Sequence, residues 1–258
     1  MTYCIVCKDN MKSQEIMKKI ENRINLEYND INPDVVIAIG GDGTILKSVH
    51  KYPNAIIFGV HTGHLGFYTN YTVDNLEELI EDVNSGCYNL EYLDMLSGKV
   101  IDGGNNIKEI FALNEITVIT PPRTLTLDVY IDEIYFEKFR GTGLCVSTPT
   151  GSTGYNKSLA GSIVDPRIKA MQITEIAGIN SNAYRTISSP VLLSSDRRIS
   201  LCCDCDTELY VVYDNNSYKT DLFRKIEIYY NGMKAKLGYH TKNGYINRVK
   251  RSFLNEKE

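Results

Sequence analysis

The sequence has no excess of basic charge: 28 Lys and Arg stand against 32 Asp and Glu, a formal net charge of -4. A chain without a basic field is a poor ligand for nucleic acid, whose binding rests on phosphate neutralisation. A local positive pocket for a phosphorylated small molecule stays open. Tryptophan is absent, and mean hydropathy is only -0.23. No apolar run is long enough to span a bilayer, so a membrane partner is not expected. The start, Met1-Thr2-Tyr3-Cys4-Ile5-Val6-Cys7-Lys8-Asp9, has no basic region followed by a long apolar stretch, and the expectation is a cytoplasmic protein. Low-complexity segments, internal repeats and long linkers are also missing.

Cysteine is present but unpaired in number, with seven residues in a chain of 258 that needs no disulfide staples. Cys202, Cys203 and Cys205 crowd one segment. No second cluster at metal-ligand spacing accompanies them, and Ile199–Cys202 reads as a strand. The expectation is reduced thiols acting as small apolar residues, with no zinc.

What is there falls into two patterns. Tyr3 to Cys7 reads as a short apolar strand. Ser13 to Ile24 places Ile16, Met17, Ile20 and Ile24 on one helical face. Val35 to Ile39 is a continuous, mostly β-branched run, as expected of a strand buried on both faces of a parallel sheet. A helix beginning at Thr44 should carry Ile45, Leu46 and Val49, with a strand over 55–60 after it. Asp74 is expected to open another helix with Glu77 as its capping partner. This alternation gives an α/β N-terminal domain with a mainly parallel sheet.

From about Tyr88 the period changes to strand-like alternation at 125–131, 134–139, 198–202, 208–213 and 225–230, which gives a β-rich C-terminal domain of antiparallel, sandwich-like type. One helical interruption is expected over 165–178, with Ile168, Met171 and Ile176 packing inward. The domains are placed at 1–92 and 93–239. A basic tail from about 240 to 258 carries Tyr245, Val249 and Phe253 at helical spacing, so that it could dock back on the first domain.

Four segments carry chemistry. The first is Gly40-Gly41-Asp42-Gly43-Thr44, where a buried strand ends and a helix begins. Glycines at the carboxyl edge of such a sheet let the backbone approach phosphate oxygens, and the helix N-terminus offers N–H groups to an anion. Asp42 is then a carboxylate among phosphates, useful for binding a metal or taking a proton from a nucleophile. The plainer alternative is a glycine-rich turn with Asp42 capping the helix.

The second runs from Ser147 to Ser158 and contains Thr150, Ser152, Thr153, Gly154, Tyr155, Asn156 and Lys157. Hydroxyls, glycines and a lysine in one loop suit a nest for phosphates or ribose hydroxyls, though an ordinary polar loop has the same composition. The third, Leu113-Asn114-Glu115-Ile116, places a polar pair in an apolar strand. Such a pair either reads a ribose or a base, or marks a bulge or strand edge. The fourth, His61 to Phe67, holds His61 and His64 in a loop with two glycines. With no fixed ligand face it reads as backbone shaping around a ligand, with Phe67 or Tyr68 as a base-stacking surface, rather than as a metal site.

In this order and spacing, the four segments resemble the NAD kinase family, whose pattern is a GGDGT loop, an Asn-Glu pair and a TPTGSTAYN-type loop. Those correspond here to Gly40–Thr44, Asn114-Glu115 and Thr148–Asn156, and the resemblance covers roughly residues 1 to 230. It implies transfer of the γ-phosphoryl group of ATP, with Mg²⁺ or another divalent cation, to the 2′-hydroxyl of the adenosine ribose of NAD. It also implies a homo-oligomer, commonly a tetramer. By the resemblance, Asp42 is the general base, and Asn114 and Glu115 hold ribose hydroxyls or adenine. Thr153, Tyr155 and Asn156 hold the adenosine portion, while Arg140 and Ala177 complete the pocket. Three positions depart from the family. Thr142 stands where an aspartate is usual, Gly154 where alanine is usual, and Asn215 where glycine or histidine often follows Asp214.

Two other classes share part of the pattern. Lipid kinases and phosphofructokinases also carry glycine-aspartate-glycine loops, but the sequence offers neither a membrane-facing patch nor a set of sugar-phosphate arginines. A non-catalytic dinucleotide sensor is the alternative that the Thr142 departure keeps open.

Overall fold

The structure is a computed structural model that describes residues 1–63, 66–120, 123–182, 184–203, 208–240 and 244–254. The chain divides into two compact units: residues 1–93 together with 234–258, and residues 94–233.

The first unit is built on parallel strands. Thr2–Cys7 lies beside Val35–Ile39, which lies beside Ile56–His61, with Cys4 opposite Val36 and Ile37 opposite Phe58. Flanked by strands on both edges, all of Val35–Ile39 is buried. On the far side of Ile56–Ile57 the sheet gains Lys236 and Leu237, also parallel. Three helices bury apolar stripes against this unit: Ile16 and Ile20 from Met11–Glu21, Ile45, Leu46 and Val49 from Asp42–Lys51, and Leu76, Leu79, Ile80 and Val83 from Leu76–Ser85. Asn10 caps the first of them through Oδ1, which accepts from the Ser13 N–H at 2.9 Å. Among the described residues no helix is long and apolar enough to cross a membrane.

Two helix starts differ from the sequence expectation. The second helix begins at Asp42, not Thr44, so Asp42 sits in the first turn behind the N-cap Gly41. The third is preceded by a short 3-10 turn over Val73–Asn75, capped by Thr72 and Asn75 rather than by Asp74 and Glu77. The Thr72 hydroxyl reaches this turn sooner, and Glu77 instead pairs with Arg23.

In the second unit, Val191–Ser194, Ala170–Ile176, Gly143–Ser147, Glu115–Ile119, Leu209–Tyr213 and Asn216–Thr220 form one antiparallel sheet in that order. The strands Ile134–Gly141, Leu125–Ile131, Ile199–Cys202 and residues 225–228 form a second. Their inner faces share one core, with Leu127, Val129, Phe139 and Leu201 meeting Ile116, Val118, Val146 and Met171. Asp132 and Glu133 both adopt positive φ (51° and 69°), the geometry of the tight hairpin turn between 131 and 134.

The expected helix over 165–178 is overturned: Ala170–Ile176 is a strand paired on both edges. Residues 170–174 are all buried, which erases the alternation that would mark a strand, while Ile168, taken as an inward residue, is 48% exposed. The tail forms a helix over Tyr245–Phe253 that belongs to the first unit. Cys202 is half-buried and Cys203 buried, neither of them in a disulfide, while Cys205 lies outside the described residues.

Ile37→Ala should lower unfolding free energy by about 2–5 kcal/mol, since it empties a central position between two strands. Ile31→Ala, at a residue 87% exposed, should change it by less than about 0.5 kcal/mol. Urea denaturation of both variants checks the pair.

Candidate functional site

In the first unit the site begins where Val35–Ile39 ends. The Gly40 N–H is tied to the Val60 carbonyl at 2.8 Å, and the helix starts at Asp42 with the Ile45 N–H returning to the Gly41 carbonyl. Thr44 folds back over Gly40, where an added Cβ would lie 2.1 Å from the Thr44 hydroxyl. The Asp42 side chain is turned toward the segment 66–68. The Phe67 N–H donates to Asp42 Oδ2 at 2.9 Å and the Tyr68 N–H to Oδ1 at 3.0 Å. The approach is close: a Cβ on Gly66 would sit 2.2 Å from Asp42 Oδ1. One carboxylate is thus fixed by two backbone donors, each oxygen keeping a lone pair for other work.

His61 ends its strand, and burial pushes its imidazole below the ordinary range. His64 and Leu65 lie outside the described residues. The aromatic pair expected to stack on a base is placed otherwise. Tyr68 is 4% exposed, and the Phe67 ring packs on that of Phe253 with centroids 5.6 Å apart.

In the second unit three distant stretches of chain are laced together. Asn114 precedes the strand Glu115–Ile119 instead of lying inside it. Asp214, with φ of 53°, accepts from the Leu113 and Asn114 N–H groups at 2.8 and 2.7 Å. From the other side, the Thr148 hydroxyl donates to the Leu113 carbonyl at 2.7 Å and the Thr148 N–H to the Asn114 carbonyl at 2.8 Å. The loop then makes a 3-10 turn at Gly151–Thr153 and one short helix at Tyr155–Ser158. It passes so near that a Cβ on Gly151 would fall 2.0 Å from the Asn114 carbonyl oxygen, and one on Gly154 3.3 Å from Glu115 Oε2.

Glu115 is the electrostatic centre of this lacing. Its carboxyl is buried, and Oε2 has no hydrogen-bond partner. Burial first, and then the charge of Asp214, push the group up to about 8, against the pull of the Tyr155 backbone N–H. The orphaned oxygen and the raised proton affinity leave Glu115 a buried carboxyl with unmet hydrogen-bonding capacity.

Asn156 is fully buried, with Oδ1 accepting from the Thr174 hydroxyl at 2.6 Å and Nδ2 unpartnered. Tyr155 presents a half-open ring, 45% exposed, while Lys157 and Ser158 face outward. Not every hydroxyl of the loop is free for a ligand. Ser152 is buried between the Pro149 carbonyl and the Val164 N–H, Thr153 donates to the Thr150 carbonyl, and Thr150 meets Thr148.

Arg140, Thr142 and Ala177 come together in the same unit. The Ile179 N–H bonds the Arg140 carbonyl at 2.8 Å and the Thr142 N–H the Ile176 carbonyl at 2.9 Å, while Ala177 takes φ of 48°. The Arg140 guanidinium stacks 4.0 Å over the Tyr184 ring and its Nε donates to Thr126. A pocket of about 240 Å³ opens beside Thr174, lined also by Ala160, Glu175, Gly178 and Ser188. Asn215 is exposed at the turn after Asp214.

Two groups escape the sequence reading. Asp214 reads as a turn residue, and only its contacts to Leu113 and Asn114 make it part of the site. Arg248, in the tail helix, is 7% exposed and donates to the Phe67 carbonyl and to Asn70 Oδ1. Its spacing of three from Tyr245 places it on the docking face, a signal masked by the basic residues around it.

Known proteins match the chain over most of its length. A family model for the ATP-NAD kinase N-terminal domain matches residues 5–88, and one for the ATP-NAD kinase C-terminal domain matches 113–230. An NAD kinase of Lactobacillus gasseri is 36% identical, covering 99% of this chain and 98% of that protein. One from Streptococcus pneumoniae is 37% identical, covering 98% and 96%. Among solved structures, the fold is shared with yeast NADH kinase complexed with NADH, at 20% identity and a TM-score of 0.83, covering 100% of this chain and 89% of that one. It is shared too with an NAD kinase from Archaeoglobus fulgidus in complex with ATP, at 24% and 0.76, covering 97% and 99%.

Because the folded state holds the Glu115 proton more tightly than the unfolded chain, its carboxyl disfavours folding as pH rises from about 4.5 to about 8. Glu115→Gln should remove that fall, making the variant more stable relative to the parent at pH 8 than at pH 5. Urea denaturation at a series of pH values reads the difference, and parallel curves would contradict it.

Proposed function

The chain belongs to the NAD kinase family, and from that premise we propose how its own residues carry out the reaction. It is a phosphotransferase that moves the γ-phosphoryl group of ATP to the 2′-hydroxyl of the adenosine ribose of NAD, giving NADP. Asp42 is the general base: it accepts the 2′-hydroxyl proton as that oxygen forms its bond to the γ-phosphorus and the bond to the ADP oxygen breaks. The observation that supports this role is the double backbone clamp on the Asp42 carboxylate. A carboxylate held by fixed donors keeps its geometry when a proton arrives, and such positioning is most of what a phosphoryl-transfer enzyme supplies. Gly41, Gly43 and Thr44 shape the adjoining helix start for phosphate.

Glu115 and Asn114 hold the ribose hydroxyls of the adenosine, with Thr153, Tyr155 and Asn156 around the base. The unpartnered Glu115 Oε2 and Asn156 Nδ2 support this, since buried polar atoms without partners suit a ligand that provides them. Arg140 and Ala177 complete that pocket. Thr142 brings a neutral hydroxyl where the family carries a carboxylate, which weakens the hold on the nicotinamide half.

Magnesium fits this arrangement as an ion that arrives on ATP. Among the described residues no three His, Cys, Asp or Glu side chains gather into a cage. Magnesium bound through phosphates and water needs only one or two carboxylates. Asp42 would hold it, and the ion would neutralise charge on the transferring phosphate. The free thiols among the described residues agree with a reducing cytoplasm. Exposed Leu192 on the edge strand Val191–Ser194 agrees with a homo-oligomer, for which the family resemblance implies a tetramer.

Incubating the protein with ATP, Mg²⁺ and NAD, and coupling NADP to glucose-6-phosphate dehydrogenase, tests the reading. The parent should generate NADP, and Asp42→Asn should lose about 10²–10⁴-fold in kcat while still binding NAD. Full activity in Asp42→Asn would remove Asp42 as the base. NAD binding with no turnover in the parent would mark the chain as a dinucleotide sensor.

A further inference from the structure

The basic tail helix Tyr245–Phe253 is exposed along most of its length, yet it sends one charged side chain inward. Lys250 and Arg251 face solvent, whereas Arg248 is 7% exposed. Burying a guanidinium is costly unless its donors are met. Here Nη1 donates to the Phe67 carbonyl and Nη2 to Asn70 Oδ1 at 2.5 Å, while Nε is left without a partner. Burial lowers the proton affinity of the group, and the charges of Glu91 and Asp42 offset only part of that loss.

One of the two residues that Arg248 grips, Phe67, also clamps Asp42. Phe67 presents its carbonyl to Arg248 and its N–H to Asp42 Oδ2, and the next N–H, from Tyr68, goes to Oδ1. Asn70 anchors the far end of the segment, its own N–H bonded to the Gly59 carbonyl at 3.2 Å. The Phe253 ring, one and a half turns further along the tail helix, rests on the Phe67 ring. Fixing the Phe67 carbonyl and the Asn70 side chain leaves the Tyr68 N–H between the grips, and the Phe67 N–H on the gripped residue itself, little freedom to swing away from the carboxylate.

We propose that Arg248 is a positioning residue for catalysis: from the C-terminal helix it fixes the 67–70 segment and, through the Phe67 and Tyr68 N–H groups, the Asp42 carboxylate. The kinetic half of this inference rests on Asp42 being the base, while the structural half does not. A lysine carries the same charge but lacks the planar fork that spans two acceptors. Arg248→Lys is therefore the informative variant, with Arg248→Gln as its neutral companion.

Amide hydrogen exchange tests the structural half directly. In Arg248→Lys, exchange at Phe67 and Tyr68 should quicken roughly tenfold or more, with Val35–Ile39 unchanged as the internal control of folding. Unchanged protection at Phe67 and Tyr68 overturns the proposal. The coupled NADP assay tests the kinetic half: kcat should fall roughly 10- to 100-fold, with KM for ATP and NAD within about twofold. Guanidinium ion should restore part of kcat in Arg248→Gln. In an Asp42→Asn background, adding Arg248→Lys should cost little further in residual rate. A loss of kcat as large as in the parent background would show that Arg248 does not act through Asp42, and overturns the proposal. If Asp42→Asn alone kept full activity, the base reading would fail on its own, visibly apart from the exchange result.

Discussion

Two backbone N–H groups pointing at one carboxylate organise the first unit around its chemistry. For Asp42 to receive the Phe67 and Tyr68 amides, several things must hold together. The strand Val35–Ile39 must end where it does, the helix must begin at Asp42, and the segment after Ile56–His61 must turn back across that helix start. Gly66 must also lack a side chain, since a Cβ there would overlap the carboxylate. A charge-assisted bond from a rigid amide is among the stronger hydrogen bonds a protein can make. The arrangement holds the carboxylate in place through main-chain amides, which have no rotamer freedom of their own.

The second unit solves a different problem. There the buried acid, Glu115, is not satisfied by backbone donors on both oxygens, and its proton affinity rises accordingly. What is fixed is the frame around it: residues 113–115, 148–154 and 214 are cross-linked by main-chain and hydroxyl hydrogen bonds. One unit therefore holds a carboxylate whose contacts are met, and the other holds one that is primed for a contact. The contrast is one of environment: main-chain donors reach both Asp42 oxygens, whereas burial leaves Glu115 Oε2 without one.

Much of this was legible from residues alone. The parallel strands were readable because burial on both faces leaves an unbroken β-branched run, as in Val35–Ile39. The positions of the motif loops were readable because glycine, aspartate and hydroxyl residues cluster where the apolar runs Val35–Ile39 and Gly143–Ser147 end. The strand Ala170–Ile176 was not readable, and for the same reason that Val35–Ile39 was: burial on both faces removes alternation. Here the run mixed Met, Gln, Thr and Glu with isoleucine, so it passed for a helical face. Helix starts were misplaced because capping depends on which side chain reaches an N–H, as with Thr72 and Asn75. The stacking role given to Tyr68 failed to foresee its burial, and Arg248 stayed hidden among solvated lysines and arginines. In both cases the partner lay far away in sequence, where no local pattern could reveal it.

The first unit is not continuous along the chain: residues 1–93 are joined only by residues after 233. During synthesis, the strand Ile56–His61 has to wait for Lys236 and Leu237 to pair with its open edge. Asp82, already bonded to the Tyr71 hydroxyl, waits likewise for His240. At ordinary translation speeds of about 5–20 residues per second, the intervening stretch takes roughly seven to thirty seconds to emerge from the ribosome. The unit that carries Asp42 therefore begins before residues 94–233 are made and closes only after them. A chain halted before residue 234 would hold the whole glycine-aspartate loop on a sheet that lacks Lys236 and Leu237, so the emergence of those residues is the step that closes this unit.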